Sequence, residues 1–488
     1  MRLSSRTGRS ISFALLLPLS LSFTATAAVA QSLAARINAI TDAGENTRAY
    51  WGISIRDLAT DAPLFERNAN ALFVPASNLK LVVSAAALHH LGAAYRFRTG
   101  IYATGAVVGG VLRGDLIIRG RGDPLISGRN QVSRTAIFEA WADSLRAHGV
   151  TRVTGQIVAD QTYFESDYIR PDWENYDLNW WYAAPVAALG YNDNAIDFRV
   201  GPGAAGAPAS ITWEQTNDFV FINRTTTRGA GSRYTLDFDR VPGTDTIYAD
   251  GEIPSDAAVR TESFATRNPG KYAAVVLRET LARRGIAVDI ATPRVVEEPA
   301  TSPTADATLI FEHTSAPLAA VLSPILQNSQ NWIAEQLLKA TAREVAGDGS
   351  WDAGLDLERR FLIDIVHADS TAFRLRDASG LSSGNLVTPR LMAQLARYIA
   401  MTREMKEVSD ALPVSGAATG SLRSRLSDLA GRVRAKTGTI GNVDSLTGIV
   451  TTDSGRRVAF SIIVNNTGQP AARTRDAVDR IIRLIART

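Results

Sequence analysis

Pro75-Ala76-Ser77-Asn78-Leu79-Lys80 opens the stretch that decides the reading of this 488-residue chain. The segment it opens, Asn78 to Leu91, is apolar on nearly every face and stops at Gly92. A helix apolar all round is a buried helix, and a proline at its start with a glycine just past its end fits the usual asymmetry of helix ends. A serine three residues before a lysine shares the lysine's face, so the amine reaches the hydroxyl. Serine is a poor nucleophile until a base takes its proton, and a lysine amine serves when burial and nearby positive charge lower its pKa. Arginine has no such option, because its guanidinium keeps its proton. The chain has only five lysines, at 80, 271, 339, 406 and 436, among 52 basic residues, so a lysine at position 80 is informative. Taken alone, Ser77-x-x-Lys80 would be a capped helix with a snorkelling lysine.

Two further motifs change that reading. Ser329-Gln330-Asn331 stands just ahead of a helix expected from Trp332. On such a turn the hydroxyl and the carboxamide point the same way, to relay a proton and to grip a substrate amide. Lys436-Thr437-Gly438, followed by Thr439, lies on a strand expected from Val433. A strand edge pairs with an extended peptide, a glycine there allows close approach, and Lys436 can hold a carboxylate or keep Lys80 neutral by like-charge repulsion.

Around these motifs the chain divides as follows. Residues 1–30 carry Arg2, Arg6 and Arg9, an apolar run from Ile11 to Phe23, and Ala28-Val29-Ala30, the layout of a secretory signal peptide. A short helix (Leu33 to Ile40) and a hairpin (Tyr50 to Leu58, Leu64 to Arg67) precede the Ser77 segment, completing a part 31–95. From 96 to 305 short alternating runs, Val111 to Ile118 among them, predict a β-rich insertion with one amphipathic helix, Arg134 to His148. Residues 306–488 return to helices, then to antiparallel strands (Val433 to Thr439, Leu446 to Thr452, Arg457 to Val464) and a closing helix, Ala472 to Ala486. The predicted fold is α+β: one helix-flanked antiparallel sheet built from both chain ends, with the insertion hanging from it.

Composition excludes several classes. Without the signal segment, which holds three arginines and no acid, the formal charge of +3 falls to zero, so no nucleic-acid footprint is expected. There is no cysteine, hence no disulfide, thiolate metal site or iron–sulfur cluster. No metal-ligand spacing occurs, and neither metal nor cofactor is expected. No later stretch is apolar over the roughly 20 residues of a membrane span, so an exported, periplasmic protein without a transmembrane anchor is expected.

The order Ser-x-x-Lys, Ser-x-Asn, Lys-Thr-Gly is that of penicillin-binding proteins and class A β-lactamases. Over nearly the whole mature chain the sequence resembles the class C low-molecular-mass penicillin-binding proteins, D-alanyl-D-alanine carboxypeptidases/endopeptidases. The resemblance extends to Gly122-Asp123-Pro124, to Asp377-Ala378-Ser379-Gly380-Leu381-Ser382 with Asn385-Leu386, to Leu412-Pro413, and to Gly420-Ser421-Leu422-Arg423. It implies a serine β-lactamase/transpeptidase fold, Ser77, Lys80 and Ser329 as catalytic residues, and Asn331, Lys436, Thr437, Gly438 and Thr439 as substrate-binding residues. Peptidoglycan peptides would be substrates and β-lactam antibiotics covalent inhibitors. Asp160, in Ala159-Asp160-Gln161, resembles an insertion acid that meets the substrate's diamino acid. Ser383 stands where the family often has an arginine.

Rival readings are weaker. A class A β-lactamase needs a Glu-x-x-Leu-Asn segment, which is absent; class C β-lactamases and related esterases use Tyr-x-Asn where this chain has Ser329-Gln330-Asn331. Gly380-Leu381-Ser382-Ser383-Gly384 matches a hydrolase nucleophile elbow, but not between a strand and a long helix. Gly201-Pro202-Gly203-Ala204-Ala205-Gly206 opens no expected helix. Trp173, Tyr176, Trp180, Trp181 and Tyr182 suggest either sugar stacking or core. A non-catalytic wall-binding protein on the same scaffold would require Ser77 to be inert.

Overall fold

The computed structural model describes residues 33–488 apart from 215 and 299–301; the signal-peptide segment lies outside the described residues. A helix over 33–41 (α1) leads into strands β1 (Tyr50–Asp57) and β2 (Pro63–Arg67). The chain ends with β8 (Val433–Ile440), β9 (Val443–Thr451), β10 (Arg457–Asn465) and helix α10 (Ala471–Ala486). These five strands form one antiparallel sheet in the order β2-β1-β10-β9-β8, with Trp51 opposite Val464 and Ile53 opposite Ile462. The expected sheet from both chain ends is therefore present. β9 and β10 are buried along almost their whole length because helices cover both faces. On one face α1 and α10 pack Ile37, Ile481 and Ile485 against Ile53 and Ile462.

A helix from later in the chain (Pro389–Met401) covers the other face, and beside it stands α2 (Lys80–Leu91), buried at every residue from Lys80 to Leu88, as a helix apolar on nearly every face requires. A 3-10 turn, Ala76–Leu79, precedes it, and Ala76 adopts φ +49. An alanine is strained there, and the strain turns the chain sharply just before Ser77. Gly380 packs against this corner: a Cβ on it would lie 2.0 Å from the Ala76 carbonyl oxygen.

The insertion starts on β3 (Arg96–Ala103) and continues through β4 (Leu116–Arg119), helix α3 (Ala136–Ala147) and β5 (Ile157–Asp160). After two three-stranded sheets it returns through helix α4 (Pro269–Arg283), β6 (Arg294–Val296) and β7 (Thr308–Pro317). A five-stranded sheet in the order β6-β5-β4-β3-β7 makes its first and last long strands neighbours, so the chain leaves and re-enters at one place. Two expectations need correction. The insertion has a second helix, α4, with Tyr272, Ala273, Val276, Leu277 and Leu281 inward. The single run expected from Val111 to Ile118 is two strands, Val111–Leu112 and β4, broken where Gly114 passes close to Gly105.

Four helices follow β7 beside α2: α5 (Leu318–Gln327), α6 (Asn331–Ala346), α7 (Trp351–Arg360) and α8 (Pro389–Met401), with a short α9 (Lys406–Ala411). Thr388 caps α8 and Pro389 opens it. α6 ties the two parts together. Its buried Lys339 sits 3.0 Å from Glu165 and 3.7 Å above the ring of Trp351.

Candidate active site

The three motifs converge at one end of the main sheet. Lys80 Nζ lies 2.8 Å from Ser77 Oγ, 2.6 Å from Asn331 Oδ1 and 2.7 Å from the carbonyl oxygen of Ser379. The last two partners only accept. A neutral amine has two N–H bonds and one lone pair, so donating to Asn331 and Ser379 leaves the lone pair facing the Ser77 hydroxyl. Asn331 is fixed in turn, because its Nδ2 donates to the Tyr182 carbonyl oxygen at 2.8 Å. Burial brings the Lys80 amine down to about 7, against the pull of the Asp377 and Glu335 carboxylates. That is the range in which a base is effective at neutral pH.

Ser329 occupies the corner between α5 and α6 with φ +59, and its hydroxyl accepts from Lys436 Nζ at 2.9 Å. Lys436 has no exposed surface; burial, and then the charge of Lys80, hold its amine well below the ordinary lysine range. Thr437 Oγ1 donates to Ser421 Oγ at 2.8 Å, which places the Gly420-Ser421-Leu422-Arg423 segment beside the motif. A Cβ on Gly438 would lie 2.3 Å from Ser445 Oγ and 3.0 Å from Ser77 N, so the strand passes Ser77 too closely for any side chain there.

β8 is an edge strand of the main sheet. Ala435 N donates outward to the Pro413 carbonyl at 3.0 Å. By the period of two, the N–H groups of Thr437 and Thr439 also face that outer edge, where an extended peptide can pair. Ser77 N, at the start of the 3-10 turn, has no helical acceptor. Ser77 and Thr439 both line the same cleft.

Two buried carboxylates hold this arrangement: Glu335, to which nothing in the sequence pointed, and Asp377, which the sequence offered only as part of a segment resembling the family. Glu335, one helical turn after Asn331, accepts from the N–H groups of Ser379 (2.8 Å) and Ala378 (3.1 Å) and from Trp351 Nε1 (2.8 Å). Asp377 accepts from Gly380 N (2.8 Å), Ser382 N (2.7 Å), Asn385 Nδ2 (2.8 Å) and Trp173 Nε1 (3.0 Å). Together they shape the 377–385 loop so that the Ser379 carbonyl meets Lys80. Burial, and then Asp377, push the Glu335 carboxyl up. Glu335→Gln puts an NH₂ among three donors; we expect roughly 1–3 kcal/mol of lost stability in urea titration. It also removes negative charge near Lys80, so the pH midpoint of acylation should move downward.

Ser77, Ser329, Asn331 and Thr439 line a cleft of ≈ 800 Å3 together with Glu174, Asp177, Trp181, Tyr182 and Ser383. Asp160 is not brought there. It is fully buried at the end of β5, accepting from Thr162 N at 3.0 Å and Ser302 Oγ at 2.9 Å and lying 3.8 Å from Arg119, so its carboxylate is engaged within the insertion. The acids that face the cleft are Glu174 and Asp177, in the aromatic segment, of which Trp181 and Tyr182 are also cleft walls. Trp173 is instead buried against Trp351. Ser382 of the Gly-x-Ser-x-Gly match is buried and donates to Asp172. His313 stands in the insertion, 3.7 Å from Asp123, and gives no Ser-His pair. Gly201–Gly206 leaves a strand without opening a helix.

A serine–lysine acyl-transfer centre at the edge of a helix-covered antiparallel sheet defines the class of penicillin-binding serine enzymes and their β-lactamase relatives. Over residues 33–486 the chain matches the D-Ala-D-Ala carboxypeptidase 3 (S13) family, and it belongs to that family. It is 34% identical over 438 residues to a D-alanyl-D-alanine carboxypeptidase of Actinomadura sp. (strain R39), spanning 87% of this chain and 79% of that one. It is 26% identical over 453 residues to D-alanyl-D-alanine carboxypeptidase DacB of Haemophilus influenzae, spanning 87% and 88%. The fold superposes on the crystal structure of penicillin binding protein 4 from Haemophilus influenzae with a TM-score of 0.81 at 23% sequence identity, covering 93% of this chain and 99% of that one.

Proposed function

We infer that the chain is an exported serine D-alanyl-D-alanine carboxypeptidase/endopeptidase acting on peptidoglycan stem peptides, and that β-lactams acylate it. The observation that carries this reading is the Lys80 amine, 2.8 Å from Ser77 Oγ, poised to titrate near neutrality. Lys80 takes the proton as Ser77 Oγ attacks the carbonyl between the two D-alanines. The N–H groups of Ser77 and Thr439 receive the oxyanion. The penultimate residue pairs with the β8 edge and the Asn331 amide. Ser329, linked to Lys436, returns a proton to the leaving amine, and Lys436 with Thr437 balances the terminal carboxylate. Water then releases the acyl group from Ser77. Export is supported by the layout of residues 1–30; among the described residues no helix is long and apolar enough to cross a membrane.

The test is release of D-alanine from a synthetic peptide ending in D-Ala-D-Ala, beside the same peptide ending in L-Ala-L-Ala. Stereospecific release supports the reading, and equal or no release counts against it.

Glu174 and Asp177 supply the negative wall that the sequence reading sought in Asp160, and they suit a peptide whose side chain carries a free amine. Asp177→Asn should lower kcat/KM about tenfold or more for such a peptide and leave its N-acetylated form nearly unchanged, since a charge-assisted hydrogen bond contributes about 1.5–3 kcal/mol. Steady-state kinetics on the two peptides checks this.

A further inference from the structure

A second cavity lies behind the main sheet, between β8, β9, α8 and α9, and no residue lines both it and the catalytic cleft. Its volume is ≈ 230 Å3. An apolar cavity of roughly 150 Å3 already admits benzene in another protein, so this one has room for a small apolar body. Leu81, Ala396, Ile399, Leu412 and Ile449 form one wall, Ser409, Thr447 and Thr451 add hydroxyls to the lining, and Leu81 follows the catalytic lysine directly.

Its rim is basic. The register sets Arg434 opposite Ile449 and Arg457 opposite Thr451, which puts both arginines on the face that Ile449 turns to the cavity. Both are exposed, and among the described residues neither guanidinium has a carboxylate partner. The third arginine at this rim is committed elsewhere: Arg432 donates to the Thr451 carbonyl at 2.9 Å, to Asp453 at 2.7 Å and to the Ala486 carbonyl at 2.9 Å. A chamber with one aliphatic wall and two guanidinium groups at its mouth, neither paired with a carboxylate among the described residues, matches one ligand chemistry, an apolar tail ending in an anion. The guanidinium fork suits a carboxylate, and the wall suits an alkyl chain.

We propose that this cavity is a ligand site for a small amphipathic carboxylate, separate from the catalytic cleft. The alkyl part occupies the space between Ile399, Leu412 and Ile449, and the carboxylate meets Arg434 and Arg457. A cation of the same length is rejected by the two arginines.

Isothermal titration calorimetry with octanoate tests it, on the full chain without its signal segment. The titration is run on the untreated protein first, then after acylation with benzylpenicillin, which fills the cleft. Octylamine is titrated in parallel, and Arg434→Gln/Arg457→Gln and Ala400→Phe are compared with wild type. The proposal expects saturable one-to-one octanoate binding that acylation does not displace, about tenfold weaker in the double glutamine variant. It expects no saturable binding of octylamine. Absence of saturable octanoate binding to wild type overturns it, as does octylamine binding equally well. Loss of binding on acylation places octanoate in the cleft and overturns it too. The two arginines are exposed, so their variant should fold even where Ala400→Phe, which fills the chamber, does not. An unchanged affinity in the double variant overturns the carboxylate assignment.

Discussion

Incubated with benzylpenicillin, the protein gains the mass of one penicillin, and the Ser77→Ala variant gains none. The expectation rests on geometry rather than on the motif alone. Of the serines near the cleft, Ser77 alone has a lysine amine at hydrogen-bond distance that burial brings to about 7. Ser329 accepts from Lys436, whose amine is buried beneath it. Ser382 is buried and engaged with Asp172, and Ser383 follows it with no base described beside it. Removing the nucleophile of a serine enzyme costs on the order of a millionfold in turnover, so D-alanine release should disappear with the label. Alanine removes only the Oγ that Lys80 faces, and the apolar packing of α2 is untouched, so the variant should keep its thermal transition. Intact-mass spectrometry reads the outcome. A label that persists in Ser77→Ala moves the nucleophile elsewhere, and an unlabelled wild type favours the non-catalytic wall-binding reading.

The parts of this molecule that were legible in the sequence share a property: each obeys a local rule that the tertiary structure then reinforces. The Ser77 helix reads as buried because it is apolar on nearly every face, and it is buried from Lys80 to Leu88. The three motifs read as one site because each needs a particular residue type at a fixed spacing, and their side chains meet within hydrogen-bond distance. α4 was legible too, through the Asn268-Pro269 start whose asparagine caps Lys271 N at 2.8 Å, but the alternating runs around it drew the reading toward strands. The failures lie where a charge is used by tertiary context alone. Asp160 and Glu335 are each a lone acid preceded by apolar residues and followed by a glutamine in sequence. The fold buries one at the end of a strand and the other under the active-site loop, and nothing local tells them apart. Glu174 and Asp177 sit in an aromatic segment whose irregular backbone has no periodicity, so which acids face the cleft depends on how the insertion closes over α6. The rear cavity has no sequence signature, since it is formed by residues from α2, α8, α9 and three strands.

Lys80→Arg should keep the fold and lose acylation by about a thousandfold or more, a larger loss than charge conservation suggests. A general base contributes roughly 10²–10⁴-fold, and a guanidinium, which stays protonated, contributes none of it. The planar fork also cannot present a lone pair to Ser77 while donating to Asn331 and the Ser379 carbonyl, which the tetrahedral amine does. In the wild type only the neutral amine accepts the Ser77 proton. With the amine brought to about 7 by burial, the acylation rate should fall about tenfold per pH unit below 7 and level off above it. The sign follows from the base: raising pH increases the neutral fraction until it is complete. Stopped-flow acylation by a chromogenic β-lactam between pH 5 and 9 measures the limb. A flat profile, or an arginine variant that acylates at the wild-type rate, removes Lys80 as the base and leaves it as a structural cation. A bend well above 8 instead keeps the base and means that Asp377 and Glu335 hold its proton more tightly than burial expels it.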